Sequence, residues 1–263
     1  MSVYICAPFE RNGSIAQLVQ SICLTSRGSQ VRILLLPQKS PYGDFFLSMI
    51  TSSIQIRQHT FELHPLRALW WEKQSILICS DVHIGKAAHF RKAGIPIPNA
   101  VNASNLWNLV VLIEKYVPKK IVFLGDLFHS KSNNEWEELM DMLAQFPHID
   151  LLLIKGNHEV ELSDTYEKLG IRTVDSITIE GIHLTHEPTS LPETAEYVLC
   201  GHLHPSVRLS GMANQQLRLP CFWFGDSVGV MPAFGEFTGT HTIQPKKGDQ
   251  VFVIAENRVM QIG

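Results

Sequence analysis

The sequence predicts an α/β layered domain that finishes in a β-rich segment, and two patterns along the chain support this prediction. From residue 75 onward, short apolar runs alternate with longer stretches that have the spacing of amphipathic helices. From residue 206 onward, short β-rich runs are separated by Gly or Pro, which is typical of antiparallel strands in a second sheet. Hydrophobic residues make up 45% of the 263 positions, which is enough for a sizeable buried core.

The predicted elements follow in chain order. Five apolar runs have the composition of strands buried on both faces: "SILICS" (75–80), "KIVFL" (120–124), "DLLLI" (150–154), "IHLT" (182–185) and "YVLC" (197–200). Residues 101–116 and 134–146 have helical spacing, and acidic residues near the start of the second stretch favour a helix N-terminus there. The tail runs at 218–224, 238–243, 249–256 and 258–262 are predicted as short antiparallel strands.

Polar side chains follow each of the five buried runs, at the point where the strand ends. The runs lead into "DVH", "GDLFH", "KGNHE", "HE" and "GHLH", and all 12 histidines of the chain come after residue 58. Because open α/β sheets bind their ligands at the carboxyl ends of the strands, we expect these side chains to converge on one edge.

The converging residues have the chemistry of metal ligands. The candidates are Asp81, His83, Asp126, Asn157, His186, His202 and His204. Carboxylate and amide oxygens with imidazole nitrogens, and no thiolate, suit Mn²⁺, Fe or Zn²⁺. Seven ligands exceed the need of one ion, so we predict two divalent ions that share Asp126, an arrangement that binds a phosphate and lowers the pKa of a bridging water. The sequence therefore predicts a site for hydrolysis of phosphoesters.

The order of these motifs resembles that of the calcineurin-like metallophosphoesterases. The resemblance implies a four-layer α/β/β/α sandwich with a binuclear metal site at the carboxyl ends of the strands. It implies one metal held by Asp81, His83, Asp126 and His204, and a second held by Asp126, Asn157, His186 and His202. Two histidines two apart on a strand could chelate one ion, but the family pattern assigns His202 and His204 to different ions. His158 matches the histidine that protonates the leaving oxygen, with Glu159 expected to orient it.

A narrower resemblance covers most of residues 62–263. The stretch "HPLRALWWEKQSILICSDVHIGKAAHFRKAGIPIP", followed by "GDLFHS", is similar to the bacterial ligase-associated DNA-damage-response phosphoesterases, which are implicated as endonucleases. This similarity implies DNA as a partner, with a functional association with a DNA ligase, a helicase and an exonuclease. His129 is then expected near the metals, and Lys86, Arg91 and Lys92 are expected to form a basic rim that holds the phosphodiester backbone.

Two other functions are compatible with the same residues. One keeps the chemistry but changes the substrate to a small phosphodiester, a nucleotide or a lipid-linked diphosphate, although no long apolar insertion is present to hold acyl chains. The other is a metal-binding scaffold that has lost catalysis, which the presence of His158 and of the complete ligand set disfavours. Hydrolysis of a substrate panel distinguishes the three.

Composition limits the cellular setting. The formal net charge of −3 gives no global attraction to polyanions, so a nucleic acid would have to bind through a local patch or bound metal. Five cysteines without a CxxC pair, and no secretory h-region, predict a cytoplasmic and reduced protein. No apolar stretch approaches the roughly 18 residues of a membrane span, so we expect no membrane partner.

The first 48 residues differ from the rest. They contain no histidine and little periodicity, and "GSIAQLVQSICLTSRGSQVRILLLPQ" resembles the accidental translation of a tRNA gene. An ordinary mobile extension is the alternative. We expect residues 1–48 to be a disordered non-native extension, synthesis to begin at Met49, and residues 49–263 to form a single domain.

Overall fold

The computed structural model of the protein describes residues 23–27, 30–34, 49–86, 100–128, 134–157, 166–167, 169–210, 216–236 and 238–262. The chain divides into two compact units, Met1–Met49 and Ile50–Gly263. Within the first unit, the described residues form an antiparallel pair of strands, β1 (Cys23–Arg27) and β2 (Gln30–Leu34). The rest of the predicted disordered extension lies outside the described residues, and the start at Met49 stays a prediction.

The first sheet of the second unit has seven strands in sequence order. Its elements are β3 (Ser52–Ile56), β4 (His59–His64), β5 (Ala68–Trp71), a 3-10 turn (Glu72–Gln74), β6 (Ile76–Cys79), α1 (Ala100–Tyr116), β7 (Lys120–Leu124), α2 (Asn134–Leu143), β8 (Asp150–Ile154) and β9 (Arg172–Val174). The strands β3 to β6 are antiparallel, and β6 to β9 are parallel. In the chain, α1 lies between β6 and β7 and α2 lies between β7 and β8, and the two helices contact each other.

The second sheet has nine strands and begins directly after the first. Its elements are β10 (Ser176–Ile179), β11 (Ile182–Thr185), β12 (Tyr197–Cys200), β13 (Pro205–Ser210), β14 (Gln216–Phe224), β15 (Val228–Val230), β16 (His241–Thr242), β17 (Gln250–Ala255) and β18 (Arg258–Ile262). The order is β10-β11-β12-β15-β14-β13-β16, with β17 paired to β14 and β18. The central strands β11, β12 and β15 are parallel.

The two sheets pack face to face around one hydrophobic core. Ile78 of β6, Leu199 of β12 and Phe222 of β14 are fully buried in the same cluster. Since side chains alternate along a strand, Leu77 and Cys79 point to the opposite face of the first sheet, the one that α1 contacts. The predicted α/β sandwich is confirmed, and the described residues supply one helix layer and both sheets.

The apolar runs identified these strands closely. Four of the five predicted strands coincide with β7, β8, β11 and β12, and the first is one residue shorter at each end than "SILICS". The antiparallel strands β3 to β5 were not predicted, because their burial alternates or their runs are short. Neither α1 nor any other helix of the described residues has the length and hydropathy that a membrane span requires.

Candidate metal centre

The predicted ligands lie where parallel strands of both sheets end. Asp81 and His83 follow β6, Asp126 follows the adjacent strand β7, and Asn157 follows β8. From the second sheet, His186 follows β11, and His202 and His204 follow β12. Two hydrogen bonds join these loops: Gly201 N donates to His186 O at 2.9 Å, and His202 N donates to Asp81 Oδ2 at 3.0 Å. Packing the sheets together therefore brings distant motifs to one edge.

Five of the seven predicted ligands have left-handed backbone conformations. Their φ angles are 52° at Asp81, 48° at His83, 48° at Asp126, 65° at His202 and 47° at His204. Such a conformation costs about 1–3 kcal/mol at a residue other than glycine and is concentrated at functional sites. It turns the chain sharply off each strand, so that the side chains are directed at one another rather than alternating across the sheet.

A first group of ligand atoms comes from Asp81, His83 and His204. These atoms all lie within 4.8 Å of one another, and Nε2 of His204 is 3.0 Å from Oδ1 of Asp81. Nδ1 of His204 is 2.9 Å from Gly239 O. Because a carbonyl only accepts, Nδ1 is the donor in this contact, which leaves Nε2 directed at Asp81.

Asp126 connects this group to a second one, formed by Asp81, Asp126 and His186. Oδ2 of Asp126 is 3.7 Å from Nε2 of His83, and Oδ1 is 3.7 Å from Nε2 of His186. Nδ1 of His186 donates to Leu124 O at 2.8 Å, which leaves Nε2 directed into the site. Each carboxylate oxygen of Asp126 therefore faces a histidine of a different group, as a bridging ligand would, although Asp81 is common to both groups.

The two remaining predicted ligands lie beside the second group. Nδ1 of His202 is 3.1 Å from Nε2 of His186, and Nε2 of His202 is 3.9 Å from a carboxylate oxygen of Glu187. Asn157 is exposed and lines a cleft of about 280 Å³ together with His186 and Lys155. His202 is thus next to His186 and His204 next to Asp81, and the assignment of the two histidines to different ions stays a prediction.

Electrostatics keep the Asp81 carboxylate ionised. Burial alone would raise the pKa of Asp81, but the nearby His204 imidazole and the hydroxyl of Ser80 hold that pKa below its usual value. Burial lowers the pKa of His204, yet the Asp81 carboxylate raises it above the usual value. Oδ1 of Asp81 and Nε2 of His204 are buried, lie 3.0 Å from each other and have no other hydrogen-bond partner among the described residues. A buried carboxylate oxygen and a buried imidazole nitrogen placed in this way fit a divalent cation.

Ser80 and two glycines support the predicted ligands, and Ser80 is not among the residues predicted from the sequence. Its hydroxyl donates to Oδ2 of Asp81 at 2.5 Å, which fixes the rotamer of the carboxylate. A Cβ on Gly201 would collide with the Ser80 hydroxyl, and a Cβ on Gly125 would collide with the His186 ring. The signal in the sequence is only positional, since Ser80 and Gly125 each precede a predicted ligand.

Lys86 is the one predicted substrate contact within the described residues. It is half-buried, and burial lowers the pKa of its ammonium group, while the Asp126 and Asp81 carboxylates oppose that shift. The charge of Lys86 is therefore close to both carboxylates. Five other predicted site residues lie outside the described residues: His129, Arg91, Lys92, His158 and Glu159.

Other polar side chains near the core do not belong to the centre. Nδ1 of His183 is 2.9 Å from the hydroxyl of Thr178, on the face of β11 opposite the ligands. Cys200 is fully buried, and burial together with the Asp81 carboxylate raises the pKa of its thiol to about 12. Such a thiol is inert as a nucleophile at neutral pH.

Comparisons with known proteins identify relatives of this chain. Residues 74–209 match the family model described as calcineurin-like phosphoesterase. Among solved structures, the Pseudomonas putida nuclease MPE is 30% identical, with a TM-score of 0.69, over 81% of this chain and 100% of that one. YfcE, a phosphoesterase from E. coli, is 14% identical with a TM-score of 0.37, over 71% of this chain and 97% of that one. No curated protein matches the chain.

Proposed function

Because the chain belongs to the calcineurin-like phosphoesterase family, and is thus a hydrolase of phosphoric esters, we propose that it is a metal-dependent nuclease that hydrolyses phosphodiester bonds of DNA. The observation that carries the proposal is the pair of ligand groups joined through Asp81 and Asp126. A relative that is named a nuclease, and that this chain covers completely at 30% identity, supports a nucleic acid as the substrate.

The residues of the chain fit two divalent ions. Asp81, His83 and His204 would hold one ion, and His186 and His202 with Asn157 would hold the other, with Asp126 between them. Oxygen and imidazole donors favour Mn²⁺, with Fe or Zn²⁺ as alternatives. When bound, such ions neutralise phosphate charge and lower the pKa of water. Hydrogen bonds such as the one from Nδ1 of His204 to Gly239 O would orient the ligand side chains toward the ions.

The remaining steps belong to protein side chains. His158 directly follows Asn157, and we propose that it donates a proton to the leaving oxygen, with Glu159 orienting its ring. Lys86 places a positive charge near the carboxylates and would contact the non-bridging phosphate oxygens, together with Arg91, Lys92 and His129. A role in DNA repair, beside a DNA ligase, a helicase and an exonuclease in the cytoplasm, is part of the same proposal and rests on the sequence resemblance.

A substrate panel tests the proposal. Purified protein with Mn²⁺ is given single-stranded DNA, nicked duplex, a nucleotide and bis-p-nitrophenyl phosphate, with and without a chelator. We expect cleavage of DNA that the chelator abolishes. Hydrolysis of the nucleotide without cleavage of any DNA form would favour a small phosphodiester as substrate, and metal binding without any hydrolysis would favour a scaffold.

A paired substitution tests the general acid. His158→Ala should lower the rate for substrates with a poor leaving group by about 10²–10⁴-fold. His148→Ala is the matched control, because His148 is an exposed histidine outside the motifs. Equal loss in both variants, or an unchanged rate in His158→Ala, would show that the acid is another residue.

A further inference from the structure

The hairpin formed by β13 and β14 begins one residue after the ligand His204 and extends away from the sandwich as a two-stranded ribbon. Beyond Ser206, β13 pairs with no strand of the described residues other than β14, and residues 216–220 of β14 pair only with β13. Leu209 and Leu217, which are directly opposite each other, are 37% and 56% exposed. This end of the ribbon therefore lies in solvent rather than against the core.

Two arginines face each other across the ribbon. Arg208 and Arg218 are partners in the antiparallel register, and both are exposed. Directly opposite residues have Cβ atoms about 4.5–5.5 Å apart, and like charges at such positions destabilise a strand pair. Neither arginine forms an ion pair with any described residue, and residues 205–220 contain no Asp or Glu. The charges of the pair therefore do not stabilise the ribbon and are available to an external anion.

The position of the pair relative to the metal centre indicates which anion. Arg208 is four residues from His204, so at 3.3 Å per residue it is at most about 13 Å away along the strand. Successive phosphates of a strand that is stacked as in B-form DNA advance about 3.4 Å along the helix axis, so this span covers roughly four nucleotides of such a strand. A guanidinium fork binds phosphate oxygens in a bidentate manner. We propose that Arg208 and Arg218 bind the phosphate backbone of DNA a few nucleotides from the scissile bond.

This inference rests on the proposed nuclease function and adds a backbone contact that reads no bases. It predicts that the pair matters for long substrates and not for the chemistry at the metals. A short phosphodiester cannot reach both places, so its hydrolysis should be independent of the arginines.

The test compares Arg208→Gln/Arg218→Gln with the control Arg172→Gln/Arg258→Gln, which removes two exposed arginines from other strands. We measure kcat/KM for a 30-nucleotide single strand and for bis-p-nitrophenyl phosphate across a KCl series. The test variant should lose about tenfold on the oligonucleotide, and its salt slope should become less steep by about 1.4, or 0.7 for each lost phosphate contact. The small substrate should be hydrolysed at the wild-type rate.

Three outcomes would overturn the inference: an unchanged salt slope, an equal loss in the control variant, or a parallel loss on the small substrate. The third outcome would mean that the substitutions act through the fold. The melting temperature of the variant checks the fold beforehand, and it should be at or above that of the wild type because the substitutions remove like-charge repulsion. Arg208→Lys/Arg218→Lys should keep the salt slope and lose part of the affinity, because lysine keeps the charge without the fork. If the wild type cleaves no DNA, the proposed function itself fails; if it cleaves DNA and the variant does so equally well, only this inference fails.

Discussion

Ser80→Ala should weaken metal binding without unfolding the protein. The Ser80 hydroxyl donates to Oδ2 of Asp81 at 2.5 Å, and the other donor to that oxygen is the backbone N–H of His202 at 3.0 Å. A hydrogen bond to a charged group is worth about 1.5–3 kcal/mol. If the whole of that energy holds Asp81 in its binding rotamer, its loss lowers the metal affinity by roughly 10- to 150-fold. Substitutions of residues that support metal ligands typically cost 10- to 100-fold, in agreement with this range.

The pH dependence provides a second readout. The hydroxyl of Ser80 is one of the groups that lower the pKa of Asp81 against the opposing effect of burial. The carboxylate must be ionised to bind metal, so a lower pKa lets binding persist to lower pH. Without the hydroxyl the pKa of Asp81 rises, and the acid limb of metal binding should move to higher pH.

Isothermal titration with Mn²⁺ between pH 5 and pH 8 measures both effects. The control is Ser52→Ala, because the Ser52 hydroxyl donates to Val259 O at 2.9 Å, far along the sheet from the ligands. The reasoning is refuted if Ser80→Ala binds Mn²⁺ as tightly as the control and the acid limb stays in place.

Three further predictions concern other positions of the chain. Gly201→Ala should lower the free energy of unfolding by about 1–3 kcal/mol through overpacking, because its Cβ would collide with the Ser80 hydroxyl. In urea melts, the double variant Ser80→Ala/Gly201→Ala should lose less free energy of unfolding than the sum of the two single variants. Strict additivity of the losses would argue against the contact. Asp126→Asn should reduce the metal content measured by plasma mass spectrometry below that of the wild type, because its two oxygens face histidines of different groups, and retention of the wild-type content would contradict a bridging role. Burial lowers the pKa of His64 to about 3. Between pH 6.5 and pH 3 the unfolded chain therefore binds a proton that the folded chain does not. The free energy of unfolding should fall as the pH falls, by about 2 kcal/mol from pH 7 to pH 5. His64→Asn keeps an acceptor for the N–H of Leu66, which donates to Nδ1 of His64 at 3.1 Å. In urea melts at pH 7 and pH 5, the free energy of unfolding of this variant should change less with pH than that of the wild type, by about 2 kcal/mol. An unchanged pH dependence would mean that another group is responsible.

Strands buried on both faces were predictable because their apolar runs are local. "KIVFL" and "YVLC" coincide with β7 and β12, and each predicted ligand in the described residues follows the strand that the sequence assigned to it. The strands β3 to β5 were missed because the burial of β3 and β4 alternates, so that neither has a continuous apolar run, and because the buried run of β5 is only four residues long.

Part of the site could not be predicted from spacing. Whether Ser80 touches Gly201 depends on how closely the two sheets pack, and nothing local to either residue records that distance. The same holds for the protonated nitrogen of His186, which is set by Leu124 O from the other sheet. Each contact joins residues more than sixty positions apart.

The sequence by itself determined the α/β class, the order of its buried strands and the set of side chains at their carboxyl ends, because hydrophobic periodicity and strand termination are properties of short segments. Only the tertiary structure decided which oxygen of Asp126 faces which histidine, how Ser80 supports Asp81 and that Arg208 lies opposite Arg218. These features depend on strand register and on the approach of two sheets, which the whole core fixes jointly.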